Sequence, residues 1–64
     1  MAIKRITGCI SRKYSDTGQI KLYVEWIDTH GHTGRTEGDV ESVHMWQLIK
    51  RGEREGVKLR REVW

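Results

Sequence analysis

Three residues whose side chains can bind a metal ion lie close together in one polar segment: Asp28, His30 and His32. His44 and Cys9 would extend such a site if the fold brought them near. Protein metal sites usually need three or four ligands whose side chains are oriented by further hydrogen bonds. Nothing in this spacing directs the side chains to a common point, so we expect a polar turn here, without a metal ion or another cofactor.

Cys9 is the one cysteine of the chain and a candidate nucleophile. A reactive thiolate needs a lowered pKa and an oxyanion site. The alternation of side chains places Cys9 on the solvent side of a strand, between Thr7 and Ser11. The carboxylates form no evident acid–base pair, and no glycine-rich loop follows a strand and opens a helix. We therefore expect a binding protein and not an enzyme.

The chain has 64 residues, of which 36% are hydrophobic and 33% are charged. This length predicts one domain over residues 1–64, and the apolar runs are too short to cross a membrane. A single cysteine excludes an internal disulfide, so stability must come from packing. The first residues lack the apolar segment of a secretory signal, which predicts a cytoplasmic location.

Strict alternation from Ile20 to Asp28 is typical of a half-buried strand. Residues 4–14 alternate in the same way, with Ile6, Gly8 and Ile10 expected on the core side. Residues 15–18 suit a turn, because they contain an aspartate and a glycine. We predict a β-hairpin over residues 4–28, and the mismatch between Ile3 and Ile6 indicates a bulge or an extra residue before the first strand.

Residues 29–38 are polar and predict a turn, with a short edge strand as an option at residues 35–37. A helix is predicted over residues 39–51, with Gly52 as its left-handed C-cap. A last strand is predicted over residues 57–64. The predicted fold is α+β: a small antiparallel or mixed sheet packed on one α-helix. The apolar stripe expected to face the core comprises Val43, Met45, Trp46, Leu48 and Ile49.

The helix from Val43 to Gly52 is followed by the charged turn at residues 53–56 and by a strand that opens at Val57. Together with the preceding hairpin, this layout resembles a family of small uncharacterised bacterial and phage proteins classed as a domain of unknown function. The resemblance covers most of the chain. It implies a bacterial or phage origin and a compact α+β fold, and it implies no activity.

The net charge is +3, and residues 1–14 carry four positive charges without a negative one. If the last strand joins the sheet of the hairpin, cations from both chain ends share the face away from the helix. Cations there would neutralise phosphates, and exposed aromatic rings would stack on unpaired bases. We predict a small basic module that binds nucleic acid, preferably single-stranded or RNA. The predicted contact residues are Arg5, Lys13, Lys21, Tyr23, Lys58, Arg60 and Trp64.

The alternative is protein binding, because three tryptophans are many for so small a core. In this hypothesis the chain is an accessory protein that modulates a host protein, or it forms a homodimer. Trp64 or Trp26 would be the anchor. A free strand edge, at residues 4–14 or 57–64, would pair with another chain.

Overall fold

The chain forms a four-stranded mixed sheet with one α-helix on one of its faces, in a computed structural model that describes residues 2–62. This confirms the predicted α+β class. The sheet has the order β3-β2-β1-β4, in which β1 is antiparallel to β2 and parallel to β4. The elements are β1 (Ile3–Lys13), β2 (Ile20–Asp28), β3 (Thr33–Asp39), α1 (Val43–Arg54) and β4 (Leu59–Glu62).

The core lies between α1 and one face of the sheet, which we call the covered face. In β2 the alternation places Leu22, Val24 and Trp26 on this face, as the sequence predicts. The opposite face, which we call the open face, carries no helix among residues 2–62. The buried apolar residues are Ile6, Cys9, Leu22, Val24, Trp26, Met45, Leu48 and Ile49.

A β-bulge interrupts β1 at Thr7. Ile6 pairs with Trp26 and Gly8 pairs with Glu25, so Thr7 has no partner residue in β2. Because one extra residue reverses the facing of every residue beyond it, both Ile6 and Cys9 lie on the covered face. A second register shift at Lys4 precedes it.

The bulge corrects the predicted facing of β1. Cys9 and Ser11, which the alternation placed on the solvent side, are buried at 1% and 3% exposure. Gly8 and Ile10, which were expected on the core side, lie on the open face opposite Glu25 and Tyr23. The prediction assumed an unbroken period of two, and the alternation changes phase at Thr7.

The helix begins four residues later than predicted and ends three residues later, at Val43–Arg54 instead of residues 39–51. It begins later because β3 continues through Asp39, which pairs with Lys21. Ser42 is the N-cap, and its hydroxyl accepts a hydrogen bond from the Met45 N–H at 3.3 Å.

Gly52 lies inside the helix and is not its left-handed cap. It is buried against β1, where an added Cβ would come within 3.0 Å of the Cys9 sulfur. The absence of a side chain therefore lets α1 approach the sheet closely. The left-handed residue after the helix is Gly56, with a φ of 89°.

Trp26 lies in the core, as the alternation of β2 predicts, and is not the surface anchor that the protein-binding alternative considered. It is 8% exposed, and its indole N–H donates to the Thr36 hydroxyl at 3.1 Å. Trp46, predicted in the core stripe, is 36% exposed. Its indole N–H donates to the Val40 carbonyl at 2.6 Å, which holds the ring over the start of α1.

The segment predicted as a polar turn, residues 29–38, contains a tight turn and then most of β3. Asp28 organises this turn, because its Oδ1 accepts from the backbone N–H groups of His30 at 2.8 Å and His32 at 2.9 Å. The last strand covers residues 59–62 of the predicted 57–64. Val63 and Trp64 lie outside the described residues.

Side chains from the end of α1 bind the first half of β1. Among residues 2–62, strand β4 pairs with residues 9–12 of β1, and the earlier part of β1 has no neighbouring strand on that side. There the Ile6 N–H donates to Glu55 Oε1 at 2.8 Å. Arg51 Nη2 donates to the carbonyls of Ile3 and Lys4 at 2.8 and 3.1 Å, and Arg51 Nε donates to Glu55 Oε2 at 2.9 Å. These bonds tie the end of the helix to the strand.

We expect Glu55→Gln to destabilise the fold in a pH-dependent way. The Ile6 N–H and then Arg51 hold the pKa of Glu55 below its ordinary value. A lowered folded-state pKa stabilises the fold above the unfolded-state pKa, and this contribution is lost as the pH falls through the folded-state value. Urea unfolding should therefore show a wild-type advantage at neutral pH that shrinks in acid. The control is Glu53→Gln, which removes an exposed carboxylate near the same end of α1, and a trend of equal size in this variant would contradict the assignment.

We expect Gly34→Ala to destabilise the fold by about 1–3 kcal/mol. An added Cβ would overlap Cζ2 and Cη2 of the Trp26 ring, which lies across Gly34 on the covered face. Thermal and urea unfolding measure the loss. Thr33→Ala, at the neighbouring exposed position, is the control and should change stability little. Equal stability of Gly34→Ala and wild type would show that the ring has room to move.

Candidate nucleic-acid interface

The pairing of β4 with β1 brings the two basic segments of the chain side by side. Ile10 faces Arg60, and Arg12 faces Glu62, in this parallel pair. The two strands together carry six cations and one carboxylate, Glu62. We call this pair of strands, β1 and β4, the basic half of the sheet. Its six cations are Lys4, Arg5, Arg12, Lys13, Arg60 and Arg61.

The other half of the sheet has the opposite charge. Strands β2 and β3 carry two cations, Lys21 and Arg35, and four carboxylates. Arg35 lies 3.6 Å from the Glu25 carboxylate on the open face. A polyanion is therefore attracted to one edge of the sheet and repelled from the other. The four carboxylates are those of Glu25, Asp28, Glu37 and Asp39.

Two tyrosines lie where the two halves meet on the open face. The hydroxyls of Tyr14 and Tyr23 are 2.6 Å apart. The Arg12 guanidinium lies 5.8 Å from the Tyr14 ring centre, and the Arg35 guanidinium lies 5.4 Å from the Tyr23 ring centre. The hydrogen bond with Tyr14, and to a smaller extent desolvation, raises the pKa of Tyr23. Both rings are half-buried, so part of each remains open to a ligand.

The structure places four of the predicted contact residues on the open face. The register of the strands puts Arg5, Lys21, Tyr23 and Arg60 there. Lys13 shares the facing of Ser11 and belongs to the covered side, at an exposed end of β1. This corrects its predicted position, for the same reason as at Cys9.

The two remaining predicted contact residues are Lys58 and Trp64. Lys58 is exposed in the segment that precedes β4. Trp64 lies outside the described residues. Its part in the contact surface stays a prediction.

Sequence reasoning missed Arg12, Tyr14 and Arg35. Arg12 and Tyr14 were given to the wrong face because the bulge at Thr7 lies between them and the start of the strand. The mismatch of Ile3 with Ile6 predicted an irregularity, which the register shift at Lys4 confirms, and the bulge at Thr7 is a second irregularity that the pattern did not indicate. Arg35 became visible only when β3 paired with β2.

The other residues with possible chemistry are engaged differently. Cys9 is buried, and burial followed by the Glu53 charge raises the pKa of its thiol, which disfavours a nucleophile. Among residues 2–62, no cluster of three or more His, Cys, Asp or Glu side chains can hold a metal ion. His32 Nδ1 instead lies 3.7 Å from Asp28 Oδ2.

Comparisons with protein-family models, with curated proteins and with solved structures found no significant match. The resemblance to a domain-of-unknown-function family therefore stays a prediction. In the described part of the chain, no helix has the length and hydrophobicity that crossing a membrane requires.

We expect Tyr14→Phe to lower the pKa of Tyr23 toward its ordinary value. The variant removes the hydroxyl that lies 2.6 Å from the Tyr23 oxygen, and the hydrogen bond between the two is the largest cause that raises the pKa of Tyr23. Because the chain has two tyrosines, Tyr23 is then the one phenol that titrates in the ultraviolet absorbance. Tyr23→Phe is the control that reports Tyr14 alone. An unchanged Tyr23 titration would contradict the hydrogen bond.

Proposed function

We propose that this protein is a small non-catalytic module that binds nucleic acid through its basic half. The observation that carries the proposal is the parallel pairing of β4 with β1. This pairing places cations from the two ends of the chain along one edge of the sheet, with Arg12 and Arg60 on the open face and Lys13 and Arg61 on the other. Glu62 is the single carboxylate of the two strands. A cytoplasmic location, which the sequence predicts, agrees with this function.

Counterion release supplies the affinity of such a surface. Each phosphate that meets a lysine or arginine frees a condensed cation, which makes binding steeply dependent on salt. Adjacent strands lie about 4.8 Å apart, so cations on β1 and β4 are close enough to act on one backbone. Arg12 and Arg60 lie on the open face of this pair, and Lys13 extends the charge at the end of β1.

Single-stranded nucleic acid is the ligand that this surface fits best. Tyr14 and Tyr23 lie beside the basic half on the open face, and aromatic side chains there can stack on unpaired bases. Arginines already lie over both rings, so a base can stack on the guanidinium plane as well as on the ring. The carboxylates of Glu37 and Asp39 disfavour a path along β3. The bound strand would therefore follow β1 and β4.

We expect the triple variant Arg12→Gln, Lys13→Gln, Arg60→Gln to lose most of the affinity for a single-stranded oligonucleotide. Fluorescence anisotropy over a range of salt concentrations measures the affinity and its salt slope. Removing three phosphate contacts should reduce the slope by about 2, and affinity at low salt should fall by about tenfold or more. The wild type should prefer the single strand to a duplex of the same sequence.

The matched control changes the formal charge by the same three units on α1, away from the basic half, with Lys50→Glu and Arg54→Gln. Both variants lose the same formal charge, so the control isolates position from net charge. It should retain most of the wild-type affinity. Equal losses in the two variants would place the binding surface elsewhere, and absence of binding by the wild type at low salt would overturn the proposed function.

A further inference from the structure

The two end strands of the sheet are protected to different degrees against pairing with other chains. Natural proteins block exposed edges with short strands, cationic side chains, prolines or bulges. In the described part of the chain, strand β4 spans four residues and contains Arg60 and Arg61. Strand β3 is seven residues long, has no proline and one cation, Arg35, and pairs with β2 in an unbroken register. Among residues 2–62, no element pairs with the outer side of β3.

The backbone of β3 offers hydrogen bonds to a further strand at alternate residues. The Asp28 N–H donates to the His32 carbonyl at 2.8 Å, so the backbone of Asp28 faces β3. Along an antiparallel pair, the backbone N–H and C=O groups of successive residues point alternately toward the partner strand and away from it. The backbones of Gly34, Thr36 and Gly38 therefore form hydrogen bonds with β2. The outward-facing donors and acceptors belong to the intervening residues, which are Thr33, Arg35, Glu37 and Asp39.

The outward-facing residues of β3 are complementary in charge to the same residues of a second copy of the chain. When β3 is paired antiparallel with a second copy about a two-fold axis at Thr36, Arg35 of each copy faces Glu37 of the other. Both residues have outward-facing backbones, so this pair exchanges two hydrogen bonds. Their side chains share the open face, where facing opposite charges stabilise a strand pair. The arrangement occurs twice, because the interface is isologous.

We propose that two copies of the chain form a dimer by pairing their β3 strands in this register. The two sheets then join into one continuous sheet of eight strands. The remaining edges of the joined sheet are the two short, cationic β4 strands, which resist further addition. The dimer is therefore closed. This inference does not depend on the proposed nucleic-acid binding, because the basic half lies at the opposite edge of each sheet.

The exposed apolar side chains are concentrated next to the same edge. Val40 directly follows β3, and Val43 and Trp46 lie in the first turns of α1. They are 40%, 69% and 36% exposed, and they are the exposed large hydrophobic residues of the described chain. Contiguous apolar side chains on a surface commonly mark a protein contact. Their position beside β3 agrees with a second copy at this edge.

The test exchanges the two facing charges in separate variants. In Glu37→Arg, each Arg35 would face an arginine, and in Arg35→Glu, each Glu37 would face a glutamate. We expect each variant to raise the dimer dissociation constant by about tenfold or more in sedimentation equilibrium. An equimolar mixture of the two variants should restore dimers, because every facing pair in the mixed dimer is then an arginine with a glutamate.

The control for Glu37→Arg is the variant Glu41→Arg, which makes the same charge reversal at an exposed position beyond β3. Glu41→Arg alone should dimerise as the wild type does, and its mixture with Arg35→Glu should not restore a full population of dimers. Circular dichroism shows that each variant is folded. A wild type that stays monomeric up to about 1 mM would overturn the proposal, as would dimers that ignore all of these charge changes.

Discussion

The bulge at Thr7 determines which side chains of β1 enter the core, and much of the molecule depends on it. One residue without a partner in β2 changes the phase of the strand, so that Cys9 joins Ile6 on the covered face. The helix fits against these two residues because Gly52 has no side chain. The same change of phase turns Arg12 to the open face. Core packing, the position of the helix and the charge of the exposed surface thus share one local cause.

The end of α1 compensates for the irregular first half of β1. A strand without a neighbour exposes backbone donors and acceptors, which need partners when they lie beside a core. Glu55 accepts from Ile6, and Arg51 donates to Ile3 and Lys4, while the two side chains bind each other. The helix is thereby fixed on the side of the sheet where the chain next forms β4. That position leads to the parallel pairing with β1 and to the concentration of cations at one edge.

The sheet consequently has two edges with different surface chemistry. The β4 edge is short and cationic, which suits a phosphate backbone and discourages strand addition. The β3 edge is longer and regular, carries arginine and glutamate at mirrored positions around Thr36, and adjoins Val40, Val43 and Trp46. Because the β2–β1 pair separates them, a polyanion and a second copy would occupy different surfaces of the same molecule.

The sequence by itself determined what depends on nearby residues. The alternation of β2, the hairpin turn at residues 15–18, the presence of a helix, the α+β class and the excess of cations near both ends all follow from local pattern and composition. Only the tertiary structure decided the facing of β1 beyond Thr7, the continuation of β3 through Asp39, the exposure of Trp46 and the meeting of the two basic segments. The reason is physical: strand register and neighbour choice depend on pairing between residues far apart in the chain, and a short sequence window does not contain both partners.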